Sequence, residues 1–153
     1  MRQHDYHVRI TWTGNNGEGT RSYTAYRRDH LVESEGKAPI LASSDPHFRG
    51  DPTRYNPEEL LVASLSSCHM LWYLHLCAVN RITVTEYSDS ACGVMEEAAD
   101  GSGKFVRVVL KPVVKLSAGG DHAKALSLHH EAHRLCFIAN SVNFPVECEP
   151  EIA

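Results

Sequence analysis

Residues 56–69 read NPEELLVASLSSCH and open a long apolar segment with a cysteine in its middle. Asn56 is a favoured N-cap residue, and Pro57 stands at the first helical position, where a missing backbone N–H has little effect. Glu59 follows Asn56 by three residues, which is the spacing of a capping box. The sequence therefore predicts a helix that begins at Pro57.

The segment that follows has no Lys, Arg, Asp or Glu between Leu60 and Asn80. A helix that is apolar on nearly every side lies in the centre of a fold or in a membrane. The segment is long enough to span a membrane, but serines and histidines interrupt it, and the N-cap at its start is typical of a helix in water. We therefore expect a central helix that packs within the protein or between subunits, and no membrane association.

Cys68 lies well inside this predicted helix, too far from its N-terminus for the helix dipole to lower the pKa of the thiol. A thiolate at this position would need a cation from elsewhere in the fold. Glu58 precedes Cys68 by ten residues, which at about 1.5 Å rise per residue separates the two by roughly 15 Å. A site that uses both Glu58 and Cys68 must therefore take one of them from another subunit, or include a further segment that folds around the helix.

The composition is that of one domain, residues 1–153, long enough for a sizeable core. The formal net charge is −4, which gives no sign of nucleic-acid binding. The five cysteines are odd in number and include no CxxC pair, which argues against a disulfide scaffold or a zinc ribbon. The first ten residues carry charges and lack the apolar core of a signal peptide. We expect a cytoplasmic protein in a reducing compartment.

The hydrophobic periodicity predicts an α+β chain in the order strands, long helix, strands, second helix and strand. The predicted strands are 7–13, 20–32, 82–94, 104–116 with a break at Pro112, and 144–152. The first two should form a hairpin around a turn at residues 15–17. Asp121 offers a cap for the second helix, which is predicted from His122 to Asn140.

Residues 36–55 form a predicted loop that is rich in Pro, Asp, Ser and Arg. A loop of this length inside a compact domain is usually functional or disordered. Arg49 and Arg54 come directly before the long helix, which makes them candidates for a site. The alternative is a solvated surface loop.

Three histidines, His129, His130 and His133, lie on the second predicted helix and invite a metal interpretation. His129 and His133 are one turn apart, but a zincin motif needs Glu directly after the first histidine, and here Glu131 is displaced by one position. An exposed polar helix face that happens to carry histidines is the simpler interpretation. A metal site of His129, His133 and Cys136 stays open as an alternative.

The cysteines fall into two groups by their surroundings. Cys68 and Cys136 each lie on an apolar helix, and two helix cysteines that face each other across a core could serve as a peroxidatic and resolving pair. Cys77, Cys92 and Cys148 have no such context and are interpreted as structural.

The stretch from Asn56 to His69 strongly resembles the NPEELL…C signature of the OsmC/Ohr family, the osmotically inducible and organic hydroperoxide resistance proteins. The segment from Ala132 to Cys136, continued to Pro145-Val146, is similar to the second-cysteine region of that family. The resemblance runs from about Trp12 to Ile152. The family commonly has proline directly after the second cysteine, where this chain has Phe137.

The resemblance implies an OsmC-like fold, in which curved antiparallel sheets surround two long central helices and two chains form an intertwined homodimer. It implies reduction of organic hydroperoxides in oxidative-stress defence, at a site on the subunit interface. Cys68 would be the peroxidatic cysteine, Cys136 the resolving one, and Glu58 would orient an arginine beside the Cys68 sulfur. Arg49 and Arg54 are the candidates for that arginine, with Arg21 and Arg28 also possible.

The expected partners are a second copy of the chain, an organic hydroperoxide and an external dithiol reductant, with no metal or organic cofactor required. Two other functions remain open on the same sequence. One is a cysteine redox sensor or small-ligand-binding dimer that has the fold without turnover. The other is the His/Cys metal-binding protein described above.

Overall fold

The computed structural model describes residues 1–153 and is α+β, as the sequence predicts. The chain divides into two compact units, Met1–Leu60 and Leu61–Ala153. The strands are β1 Arg9–Trp12, β2 His30–Glu33, β3 Ile40–Ala42, β4 Val84–Asp89, β5 Cys92–Glu97, β6 Gly103–Leu110, β7 Pro112–Leu116, β8 Val146–Cys148 and β9 Glu151–Ile152. The helices are α1 Pro57–Val79 and α2 His122–Leu135, accompanied by two 3-10 turns, Pro46–Phe48 and Ala139–Ser141.

The unit Met1–Leu60 contains an antiparallel sheet in the order β1-β2-β3. A buried polar group lies beside this sheet. Asp29 is almost fully buried, and its Oδ1 accepts a hydrogen bond of 3.2 Å from the Ser43 hydroxyl. The Arg54 Nε lies 3.8 Å from Asp29 Oδ2 and compensates the buried carboxylate.

The predicted strand 20–32 is wrong over most of its length, because only residues from His30 onward pair as β2. The preceding residues form a compact loop built on local hydrogen bonds. The Asn15 Oδ1 accepts from two glycine N–H groups in the turn, at 2.9 and 3.0 Å. The Arg28 guanidinium donates to the Tyr23 and Tyr26 carbonyls and lies 3.8 Å over the Tyr26 ring. These contacts fix the loop in a way that side-chain alternation does not reveal.

The long helix α1 begins where its cap predicts. The Glu59 N–H donates to Asn56 Oδ1 at 2.8 Å, and the Asn56 N–H donates to Glu59 Oε1 at 3.1 Å, which is a complete capping box. Its buried face repeats every four residues, at Leu65, His69, Tyr73 and Cys77. By length and composition α1 could also cross a membrane, although such a helix is equally typical of a protein core.

The opposite face of α1 is exposed in the single chain. It also repeats every four residues and carries no charge, at Ala63, Ser67, Leu71, His75 and Val79. Leu71 is 60% exposed. An uncharged helix face of this length is available for contact with another protein surface.

The unit Leu61–Ala153 has two three-stranded sheets, in the orders β4-β7-β9 and β5-β6-β8. The expected antiparallel sheets are therefore only partly correct, because β6 pairs with β8 and β7 with β9 in parallel. The chain after α2 returns to both sheets, and the segment predicted as one strand, 144–152, is divided between them near Pro150.

The hydrophobic core of this unit consists of two clusters. One has Leu65 of α1 packed with Val108 and Leu110 of β6. The other joins residues further along α1 to α2 and β7, namely Tyr73, Cys77, Ile82, Val114, Ala125, Leu128 and Ala132. Helix α1 therefore contributes to both clusters, with Cys68 and His69 at positions between them.

Helix α2 is shorter than predicted. It ends at Leu135, and Cys136 is its C-cap with extended backbone (φ −64°, ψ 115°). The Asn140 side chain donates to the Arg134 carbonyl at 3.1 Å, which satisfies one of the free carbonyls at the helix end. Helix α1 is long, with 23 residues, whereas α2 has 14, and the expectation of two long central helices is not confirmed.

Candidate active site

Cys68 and Cys136 are brought together by the two helices. Cys68 is partly buried on α1, Cys136 is 1% exposed at the end of α2, and both are free thiols. Burial raises the pKa of the Cys136 thiol, and the adjacent Cys68 side chain raises it further. The two cysteines that the sequence singles out are therefore neighbours, as a peroxidatic and resolving pair must be.

Hydrogen bonds hold both the backbone and the thiol of Cys136 at the end of α2. Cys136 is the first residue beyond α2, and its N–H donates to the His133 carbonyl at 3.3 Å while its carbonyl accepts from the Asn140 N–H at 3.0 Å. The Ala139 N–H donates to the Cys136 Sγ at 3.4 Å, and this bond favours the thiolate. The Cys136 sulfur therefore lies on a hydrogen-bonded backbone at the helix end, and backbone hydrogen bonds to the sulfur partly offset the effect of burial on its pKa.

Phe137 stands where the related family commonly has proline. Proline would end a helix by preventing its continuation, but here α2 has already ended at Leu135. The Phe137 side chain is 66% exposed and packs edge-on against Trp72, with ring centroids 5.6 Å apart. The departure from the family pattern therefore leaves Cys136 at the helix end and adds an aromatic surface beside it.

Glu58 is the first-turn acid of α1 that the capping box does not use. Glu59 is bonded to Asn56, whereas the Glu58 Oε2 is buried without a hydrogen-bond partner. Because α1 is continuous from Pro57 to Val79, Glu58 and Cys68 lie roughly 15 Å apart along one helix. A buried carboxylate oxygen without a donor is a place where an arginine would bind.

The two candidate arginines have other contacts within Met1–Leu60. Arg54 lies 3.8 Å from both Asp29 and Asp51. Arg49 has left-handed backbone (φ 65°) at the end of the first 3-10 turn, and its guanidinium lies 5.9 Å over the Tyr23 ring. Arg54 therefore compensates a buried carboxylate, whereas the exposed Arg49 has only a loose contact with an aromatic ring.

A second cluster lies beside the cysteine pair and was missed by the sequence interpretation. His69, which directly follows Cys68, is 1% exposed, and its Nε2 lies 3.0 Å from the Nδ1 of buried His129. Cys148, interpreted as structural, has its sulfur 3.9 Å from the same Nε2. Of the residues in the metal alternative, His129 lies in this cluster, where His69 and Cys148 accompany it in place of His133 and Cys136. The four-residue spacing of His69 with Leu65 and Tyr73 could have revealed its burial.

Comparison with solved structures agrees with this fold. An OsmC-like protein of unknown function from Vibrio cholerae matches with a TM-score of 0.85 and 36% identity, over 97% of this chain and 99% of that one. An organic hydroperoxide resistance protein from Elizabethkingia anophelis matches with a TM-score of 0.68 and 19% identity, over 99% of each chain. OhrB of Bacillus subtilis, also an organic hydroperoxide resistance protein, has a TM-score of 0.60 and 18% identity, over 97% and 98%.

The sequence model of the OsmC-like protein family matches residues 50–151. This match and the 36% identity to the Vibrio cholerae protein lead to the same result: the chain belongs to the OsmC-like protein family. The family resemblance seen in the sequence is thereby confirmed. No protein of curated function is similar enough to this sequence to be matched.

Proposed function

We propose that the protein is a thiol peroxidase that reduces organic hydroperoxides through Cys68 and Cys136. The observation that carries this proposal is the adjacency of the two thiols at the meeting point of α1 and α2. Two distant relatives of the same fold are named organic hydroperoxide resistance proteins, which agrees with this chemistry.

The reaction begins at the more accessible sulfur. The Cys68 thiolate attacks the distal oxygen of ROOH, the O–O bond breaks, and RO⁻ leaves and takes a proton to become the alcohol. Cys68 is then a sulfenic acid. The Cys136 sulfur attacks it, a disulfide forms, and water leaves. An external dithiol reduces the disulfide by two exchange steps and regenerates both thiols.

An apolar surface beside the thiols favours an organic substrate. Phe137 directly follows Cys136, and its ring contacts Trp72 of α1. The alkyl or aryl group of an organic hydroperoxide would gain from burial on such a surface, whereas hydrogen peroxide would not.

A second copy of the chain would complete the site. The exposed face of α1 is uncharged over its whole length and suits an isologous helix–helix contact in a homodimer. A guanidinium beside Cys68 would stabilise its thiolate, and Glu58 has a buried oxygen that can orient such a group. Arg49 is the better candidate of the two, because Arg54 already compensates Asp29 and Asp51.

The test uses the fully reduced protein, with cumene hydroperoxide as substrate and a dithiol as reductant. Peroxide consumption and free thiols are measured together. Cys68→Ser should abolish consumption. Cys136→Ser should undergo one oxidation at Cys68, trapped as a sulfenic acid, without forming the disulfide. Cys92→Ser is the matched control, since Cys92 is an exposed thiol on β5, and it should retain full turnover.

Two outcomes would contradict the proposal. Unchanged cycling in Cys136→Ser would remove Cys136 from the mechanism. A single stoichiometric loss of thiols in the wild-type protein, with no dithiol-driven turnover, would favour a redox sensor that uses the same pair.

A further inference from the structure

The pair His69 and His129 is unusual for a protein core. Both imidazoles are nearly inaccessible to solvent, at 1% and 3% exposure, and the facing nitrogens are 3.0 Å apart. The rings are parallel within 3°, and Tyr73 stacks on His129 with ring centroids 3.8 Å apart. Both rings are thus held in place by packing. The peroxidase chemistry proposed above uses neither of them.

Cys148 adds a sulfur to this pair at the end of β8. Its Sγ lies 3.9 Å from His69 Nε2, and one ligand atom from each of the three residues lies within 4.8 Å of the other two. In a tetrahedral zinc site, bonds of about 2.05 Å to nitrogen and about 2.3 Å to sulfur separate two nitrogens by about 3.3 Å, and a nitrogen and a sulfur by about 3.5 Å. The separations of 3.0 Å between the two nitrogens and 3.9 Å between the His69 nitrogen and the sulfur differ from these values by about 0.3 and 0.4 Å.

Burial leaves the two histidines neutral and able to ligate a cation, whereas it raises the pKa of the Cys148 thiol to about 11, so a metal would have to displace the thiol proton. Burial lowers the pKa of His69 to about 4 and that of His129 to about 3, so both rings are neutral at neutral pH. A neutral ring keeps one lone pair. The His69 Nε2 and His129 Nδ1 share a hydrogen bond with each other, and the His129 Nε2 has no hydrogen-bond partner. The His129 ring is therefore incompletely satisfied in a packed core, and a cation between the two facing nitrogens would replace their mutual hydrogen bond.

A cleft gives access to the cluster. It has a volume of about 270 Å³, and His129 and Cys148 form part of its wall. His130 and His133 line the same cleft from α2. A cation could enter from this side, and the fourth position of a tetrahedral site would face the cleft and hold water.

We propose that His69, His129 and Cys148 bind one Zn²⁺ ion, with the fourth position open to the cleft. Zinc suits a donor set of two imidazoles and one thiolate, because it is borderline in softness and accepts nitrogen and sulfur together. On binding, the Cys148 thiol releases its proton to solvent and the sulfur ligates as the thiolate. The site is separate from Cys68 and Cys136, which stay free as thiols.

The test titrates the reduced, full-length protein with Co²⁺, a coloured substitute for zinc. One equivalent should produce a thiolate-to-cobalt charge-transfer band in the near ultraviolet and the visible bands of a tetrahedral centre. One equivalent of Zn²⁺ should then bleach both. Cys148→Ser should lose the charge-transfer band, whereas Cys68→Ser and Cys136→Ser should keep it. This last comparison makes the result independent of the peroxidase proposal.

A matched pair of histidine variants locates the nitrogen donors. His129→Gln should weaken Co²⁺ binding by about 100-fold or more, because it removes a direct ligand. His130→Gln alters the neighbouring, exposed histidine of the same cleft and should leave the affinity unchanged. If circular dichroism shows that His129→Gln fails to fold, Cys148→Ser carries the test alone, since it exchanges a single atom.

The proposal is overturned if Co²⁺ binding shows no charge-transfer band or if the band survives in Cys148→Ser. Equal weakening by the His130 and His129 variants would also overturn it, because the metal would then lie on the exposed helix face.

Discussion

Leu71 offers a direct test of whether α1 is covered by a second chain. It lies in the middle of the uncharged stripe and is 60% exposed in the single chain. Complete burial of a leucine side chain contributes about 1.5–3 kcal/mol, so covering the exposed part would contribute about 1–2 kcal/mol in each copy. A symmetric dimer contains the residue twice, which gives about 2–4 kcal/mol. At about 1.4 kcal/mol per tenfold, Leu71→Asp should raise the dimer Kd by about 30-fold to nearly 1000-fold.

Repulsion between two buried carboxylates would add to this loss, so the lower figure is a minimum. The assay is sedimentation velocity over a dilution series of the wild type and the variant. Leu126→Asp is the control, because Leu126 is an exposed leucine (46%) on the other helix. A wild-type protein that stays monomeric at the highest concentration would refute the reasoning. So would a Leu71→Asp dimer as tight as the wild type.

Three further predictions concern stability and pH. Leu65→Ala removes a side chain that is 1% exposed between α1 and β6 and should lower the free energy of unfolding by about 2–5 kcal/mol in urea denaturation; a loss under 1 kcal/mol would contradict this packing. Asn56→Ala breaks the capping box with Glu59 and should lower the same quantity by about 0.5–2 kcal/mol, an effect that Asn56→Asp, which restores an acceptor, should largely reverse. The raised pKa of Cys136 keeps its thiol protonated at neutral pH, so the rate of disulfide formation after oxidation of Cys68 should rise with pH, by about tenfold per unit below that pKa. Stopped-flow decay of the sulfenic acid between pH 6 and 9 measures this rate, and a flat profile would mean that deprotonation of Cys136 does not limit the step.

The elements that local signals control could be predicted from the sequence. The start of α1 follows from Asn56 and Glu59, and its length follows from the absence of charge up to Asn80. The end of α2 could not be predicted in the same way, because apolar spacing continues past Cys136 while the backbone turns away. That turn depends on contacts such as the Asn140 side chain bonding the Arg134 carbonyl.

The sequence predicts individual residues of the site but not which of them lie close together. Cys68 and Cys136 could be chosen for their helical context, but their adjacency depends on how α1 and α2 pack. Cys148 lies beside His69 because β8 pairs in parallel with β6, where Leu110 is opposite Cys148. Parallel pairing joins segments that are distant in sequence, and no local pattern reports it.

The two acidic residues at the start of α1, Glu58 and Glu59, have different roles that the sequence motif does not distinguish. Glu59 closes the capping box and strengthens the single chain. Glu58 leaves a buried oxygen unbonded, which by itself weakens the chain. The NPEELL motif therefore contains one residue, Glu59, that stabilises the fold and another, Glu58, that destabilises the isolated chain. The Glu58 oxygen has no donor within the isolated chain, and a guanidinium supplied from outside that chain would satisfy it.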